Sequence, residues 1–135
     1  MIAPKIYGLV GYPVKHSLSL AMQNAAFAYL KKVNPEFHAE YRLFEIKPQD
    51  LEGFLLKDVP VEDIYGQTAF THEILGFNVT IPHKIKAREI LEKRFASPSG
   101  DAHMTQEDFY YVKLSGAINT VKRDPQRLEC RNTDA

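Results

Sequence analysis

At 135 residues the chain is about one domain, long enough for a single hydrophobic core. Seventeen basic residues balance seventeen acidic ones, which leaves no electrostatic footprint for nucleic acid or an anionic membrane surface. One cysteine, Cys130, excludes an internal disulfide, and neither a bilayer-length apolar run nor a signal-peptide start is present, so a reducing, cytoplasmic location is expected.

Residues 5–11 are a short apolar run bounded by glycine and Pro13, the pattern of a buried strand. Tyr12-Pro-Val-Lys-His-Ser-Leu-Ser19 follows as a loop with two hydroxyls two residues apart. Met22, Ala25, Ala26, Tyr29 and Leu30 then recur at helical spacing and predict a helix over about 19–32. Residues 37–46 alternate as a second strand, with Phe37, Ala39, Tyr41 and Leu43 on one side. Pro48 and Asp50 open a helix that runs through Leu56, and residues 57–75 read as a connection with one helical turn or more. A strand over 77–81 and a helix over 82–94 come next.

That last boundary breaks a local rule. Pro82 suits the first helical position, where its missing N–H costs nothing. His83, Lys84 and Lys86 then crowd a helix end that carries about +0.5 of a charge, an end where Asp and Glu normally gather. Breaks of this kind mark function or strain. A lysine so placed can donate a proton to an oxygen that turns anionic; the plainer alternative is an exposed amphipathic helix with solvated basic residues.

Ser97-Pro-Ser-Gly-Asp101 makes 96–103 a loop, either a surface insertion or a lid. Shortening it should be nearly neutral for folding, because loop-closure entropy changes by only about 0.6 kcal/mol per doubling of length. Residues 106–114 predict a short helix, and 116–123 and 127–131 predict strands joined by the turn Asp124-Pro-Gln126. Strands alternating with helices give the fold class α/β: a single three-layer domain with a mainly parallel sheet and a C-terminal hairpin.

The polar clusters fall at predicted strand ends and helix starts, where open α/β folds bind ligands. Ser17 and Ser19 suit helix capping, yet neither has Glu or Gln three positions on, so no capping box favours that role over anion binding. Asn78 and Thr80 share one strand face, and solvent or a ligand could meet it. Asn119 lies in an apolar run where an unpaired amide would cost free energy, so it needs a backbone or ligand partner. The histidines at 16, 38, 72, 83 and 103 show no i, i+4 pair and no cysteine cluster, so no metal site is expected.

Tyr12-Pro-Val-Lys-His-Ser-Leu-Ser19, Gly76-Phe-Asn-Val-Thr-Ile-Pro-His-Lys84, Gly116-Ala-Ile-Asn-Thr-Val121 and Asn132-Thr-Asp134 resemble, in order, four motifs of the shikimate dehydrogenase family, in its N-terminal substrate-binding domain. Leu20 departs from the pattern, standing where the family commonly has proline. The resemblance implies that Ser17 and Ser19 bind a carboxylate, and that Asn78, Thr80, Asn119 and Thr133 contact ring hydroxyls of a polyol acid. It makes Lys84 the acid or base at the hydroxyl being oxidised, with Asp134 orienting it. Residues 1–135 would then be the shikimate-binding domain of an enzyme that reduces 3-dehydroshikimate to shikimate with NADPH, on the route to the aromatic amino acids. No Gly-x-Gly-x-x-Gly follows a predicted strand, so NADP or NAD is expected on a separate C-terminal domain and none on this chain. The expected partner is the small-molecule substrate, with no nucleic acid and no membrane, and a homodimer is compatible with the resemblance. A non-catalytic small-acid binding module, or an enzyme that takes quinate, stays open.

Overall fold

Alternation of apolar residues along the first strand decides the layering. β1 (Lys5–Gly11) sends Ile6 and Val10 to one face of the sheet and Tyr7 and Leu9 to the other. A computed structural model describes residues 4–95, 102–123 and 127–133. Asp134, the turn at 124–126 and most of the loop read at 96–103 fall outside these residues. The other strands are β2 (Ala39–Glu45), β3 (Pro60–Glu62), β4 (Thr68–Phe70), β5 (Ile74–Val79), β6 (Ala102–His103), β7 (Thr120–Arg123) and β8 (Leu128–Arg131). The helices are α1 (Ser19–Val33), α2 (Leu51–Leu56), α3 (His83–Phe95) and α4 (Gln106–Ser115).

Six strands form one sheet in the order β2-β1-β5-β7-β8-β6, and β3 and β4 form a separate hairpin. β1 runs parallel to β2 and β5, β6 runs parallel to β8, and β7 is antiparallel to both of its neighbours. The sheet is therefore mainly parallel, with β7 and β8 as the expected C-terminal hairpin. Ile6 and Val10 enter the larger core with Phe44, Phe54, Phe77 and Leu91, beneath α2 and α3. Leu9 packs with Tyr41 and Leu43 against Phe27 of α1 on the opposite face. Helices on both faces give three layers. Cys130 lies in the larger core, where burial pushes its thiol up to about 12 and keeps it protonated.

Several expectations need correction. The stripe of Met22, Ala25, Ala26, Tyr29 and Leu30 does mark a helix, but it faces outward, with Met22 63% and Tyr29 65% exposed. α1 docks instead through Leu20, Asn24 and Phe27. Asn24 bonds the backbone of β2, accepting from Tyr41 N at 2.9 Å and donating to Tyr41 O at 3.1 Å. The Phe27 ring lies 5.8 Å from those of Tyr7 and Phe37. A polar residue in the centre of the docking face hid that face from an apolar count.

Residues 57–75 hold the expected helical turn, a 3-10 turn at Thr71–Glu73, but also the β3–β4 hairpin, which was not expected. Its turn is held by Asp63, whose Oδ1 accepts from Tyr65 N at 2.8 Å and Gln67 N at 3.0 Å, and by Gly66 at φ 81°. The helix expected from Pro48 begins as a 3-10 turn, Pro48–Asp50, before α2. β5 starts earlier than expected and ends at Val79, which leaves Thr80 just beyond it. Pro82 precedes α3 rather than opening it, joined to Ile81 by a cis peptide bond. β7 begins only at Thr120, because Gly116 closes α4 at φ 73° with its N–H on Val112 O, so 117–119 approach the sheet irregularly. The last two residues of the loop read at 96–103 are β6.

Candidate functional site

The connection leaving β1 runs through α1 to β2 on one side, while β5 lies on the other side of β1 and leads into α3 on the opposite face. The two outgoing loops therefore diverge, and a crevice opens at the carboxyl ends of β1 and β5. Such a switch point is where open α/β sheets hold ligands. Here it is a cleft of about 330 Å³ whose lining includes Leu9, Val14, Ser17, Ser19 and Thr80.

Short backbone bonds fix its walls. Thr80 N donates to Val10 O at 2.9 Å and Tyr12 N to Ile81 O at 3.2 Å, tying the two loops together. Glu45 at the end of β2 accepts from Val14 N at 3.2 Å and lies 4.0 Å from the Lys15 ammonium. Ser17 N donates to Val14 O at 3.0 Å, and Ser17 Oγ accepts from Ser19 N at 3.1 Å. Ser17 thus closes a serine turn ahead of α1 rather than capping it, since Leu18 is the N-cap and no side chain caps the helix, and the Ser17 hydroxyl proton stays available to a ligand. Gly11 makes the narrow floor: a Cβ there would lie 2.5 Å from Thr80 Cγ2 and 2.7 Å from Val14 Cγ1. Gly11→Ala is expected to wedge the two loops apart at a cost of about 1–3 kcal/mol, read as a lower denaturation midpoint. A midpoint equal to that of the native chain would refute the tight approach.

The start of α3 is anchored by a buried histidine. His83 is 1% exposed, and its Nε2 lies 2.6 Å from Ile46 O. A carbonyl only accepts, so Nε2 carries the proton. With His83 N donating to Thr80 O at 2.9 Å, this fixes the first turn, in which Lys84 is half-buried, to a residue that lines the cleft. Lys84 O accepts from Ile118 N at 3.1 Å, and Asn119 O accepts from Val79 N at 2.7 Å, so the segment after α4 is drawn against both the helix start and β5.

A chain of polar side chains crosses the strand ends. Tyr41 Oη donates to Asn78 Oδ1 at 2.9 Å, and Asn78 Nδ2 donates to Thr120 Oγ1 at 3.3 Å. Thr120 Oγ1 donates to Asn119 Oδ1 at 3.0 Å, which also accepts from Thr133 N at 2.9 Å; Asn119 Nδ2 donates to Thr133 Oγ1 at 3.1 Å. The Asn119 oxygen and one of its two Nδ2 hydrogens thereby have partners within the protein, and the residue is 6% exposed.

The structure thus brings Asn78, Asn119 and Thr133 into one chain, sets Lys84 beside it, and gathers Ser17, Ser19 and Thr80 around the cleft. Asp134 lies outside the described residues. The sequence reading missed Tyr41, Glu45 and Asn24. Their only trace was the alternation of β2 and the polar residue within α1. The glycines of β1 do not form a phosphate cradle: a Cβ at Gly8 would sit 2.8 Å from Arg42 O and from the Phe44 ring, so neighbouring groups fill that space. Among the described residues there is no group of His, Cys, Asp and Glu suited to a metal, and no helix long and apolar enough to cross a membrane.

Comparison with known proteins gives one family. A model described as the shikimate dehydrogenase substrate binding domain matches residues 9–98. A shikimate dehydrogenase (NADP(+)) of Bacillus licheniformis is 36% identical over 129 residues, covering 96% of this chain and 36% of its own length. A crystal structure of shikimate dehydrogenase in complex with NADP+ superposes at a TM-score of 0.62 and 30% identity, covering 99% of this chain and 37% of that one. The shikimate 5-dehydrogenase of Thermus thermophilus in complex with shikimate superposes at 0.65 and 26% identity, over 96% and 38%. The chain spans about a third of the length of the curated relatives it matches.

Proposed function

Since the chain belongs to the shikimate dehydrogenase substrate-binding domain family, we propose that its 135 residues form the domain that holds shikimate and 3-dehydroshikimate for an NADP-dependent oxidoreductase. The observation that carries this reading is the convergence at one switch point of hydroxyls on Ser17, Ser19 and Thr80 with the amides of Asn78 and Asn119 and the start of α3. A polyol acid asks for that mixture: hydroxyl and backbone donors for its carboxylate, amides for its ring hydroxyls, and a cation at the oxygen whose charge changes.

Ser17 and Ser19, with the N–H groups at the start of α1, take the carboxylate. Asn78, Thr80, Asn119 and Thr133 fix the ring by its hydroxyls. Lys84 gives its proton to the ring oxygen as the ketone is reduced and takes it back on oxidation, and Asp134 holds the ammonium in place. The hydride is supplied by NADPH held on a nucleotide-binding domain outside these residues.

The 135-residue chain alone is expected to bind shikimate weakly in a calorimetric titration and to oxidise no NADPH in the presence of 3-dehydroshikimate. Heats no larger than those of dilution would sink the substrate assignment, and NADPH oxidation would sink the division of labour.

A further inference from the structure

The direction of the hydrogen bonds between Tyr41 and Thr133 follows from one group whose role is fixed by chemistry. Thr133 N is a backbone donor, so the atom of Asn119 that it meets at 2.9 Å is the oxygen. Thr120 Oγ1 lies 3.0 Å from that same oxygen, and two oxygens at this distance need a hydrogen between them. The Thr120 hydroxyl therefore spends its proton on Asn119 and can only accept from Asn78, which turns Asn78 Nδ2 towards it at 3.3 Å. Asn78 Oδ1 is left facing Tyr41 Oη at 2.9 Å, where only the phenol can donate. Reversing Asn78 would set two acceptors against each other at Thr120, unless the whole chain reversed with it. The Thr133 backbone forbids that.

We infer that Tyr41 is a positioning residue that, with Thr120, locks the Asn78 amide as a hydrogen-bond donor at the cleft, so that Asn78 reads an acceptor oxygen of the ligand. One Nδ2 hydrogen goes to Thr120; the second has no protein partner among the described residues, and Asn78 is half-buried at the end of β5, two residues before Thr80 in the cleft lining. Tyr41 is suited to the task. Asn24 pins its backbone on both polar atoms, Leu9 and Leu43 pack beside it, and burial pushes its phenol up, so it keeps the proton it donates. A ligand hydroxyl at Asn78 must then direct its own proton elsewhere, which sets the rotation of that hydroxyl as well as its position.

The inference rests on the shikimate reading, and its test separates the two. In the labelled chain without ligand, the Asn78 Hδ2 protons are expected to show Overhauser contacts to Thr120 and none to the Tyr41 ring. Contacts to the Tyr41 ring instead would overturn the inference, whatever the chain binds. Tyr41→Phe is expected to leave the fold intact and weaken shikimate binding about tenfold, the cost of one lost buried partner. Thr120→Val releases the other side of the amide and should give a similar loss, which keeps the test alive if Tyr41→Phe fails to fold. Unchanged affinity in a folded variant would refute the positioning role. Native contacts to Thr120 with no shikimate binding would support the donor polarity and overturn only the choice of ligand.

Discussion

Under the proposed function, replacing Lys84 with alanine in an enzyme that joins this chain to a nucleotide-binding domain is expected to cut turnover by roughly 10²- to 10⁴-fold and to leave the KM for 3-dehydroshikimate nearly unchanged. The ammonium of Lys84 would interact with the ring oxygen most strongly as that oxygen becomes an alkoxide. Its loss should therefore fall on the chemical step rather than on ground-state binding. Position makes the residue suitable: α3 is clamped by His83 to Ile46 and Thr80, and Lys84 O is bonded to Ile118 N, so the stem of the lysine leaves from a fixed turn. Ser17→Ala supplies the contrast. Under the proposed function it would remove a contact made equally in ground and transition states and should raise KM with turnover preserved. Steady-state kinetics on the two variants decides the matter, and near-normal turnover in Lys84→Ala would remove the lysine from the proton transfer.

The second large effect is on stability. Phe54 of α2 is 1% exposed, and its ring meets that of Phe77 edge-on at 5.2 Å and that of Phe44 at 6.2 Å. Truncating it to alanine loses the transfer free energy of the ring and leaves a cavity between α2 and the sheet, at a cost of about 3–5 kcal/mol. For a domain of this size that lowers Tm by roughly 10–20 °C. Phe77 precedes Asn78 on β5, so loosening the far face of that strand also loosens the register of the near one. Thermal unfolding followed by circular dichroism measures the effect. A fall of under about 3 °C would mean that the core closes over the gap, contrary to the close packing of its rings.

The sequence carried the strands and helices whose periodicity was long enough to count. β1, α1, α3 and α4 stand within a residue or two of where an apolar run, helical spacing and boundary residues put them, and the mainly parallel three-layer architecture followed from their order. The segment around Lys84 was legible because a cation sits where the helix dipole does not want it, and the segment around Ser17 because two hydroxyls stand ahead of a helix start. The β3–β4 hairpin was hidden because its strands have three residues each, too few to show a period, and its turn is signalled mainly by Asp63 and Gly66. The outward face of α1 was misleading because an amide in the centre of the docking face makes the buried side look polar. Tyr41 escaped notice for a different reason. Its partner Asn78 is 37 positions away, and only strand register, which no local pattern contains, brings the two together.

The bond from α1 to β2 has a consequence for molecules in company rather than alone. β2 ends one side of the sheet, and the outer N–H and C=O groups of a terminal strand are a template on which another polypeptide can extend the ladder. Asn24 fills both polar positions of Tyr41, and the N–H of Ile64 fills the carbonyl of Leu43 two residues on. A helical side chain and a loop amide thus stand in for the strand that would come next. Sheet width is set from within, and the boundary between one molecule and its neighbour in a crowded solution is guarded by the identity of residue 24.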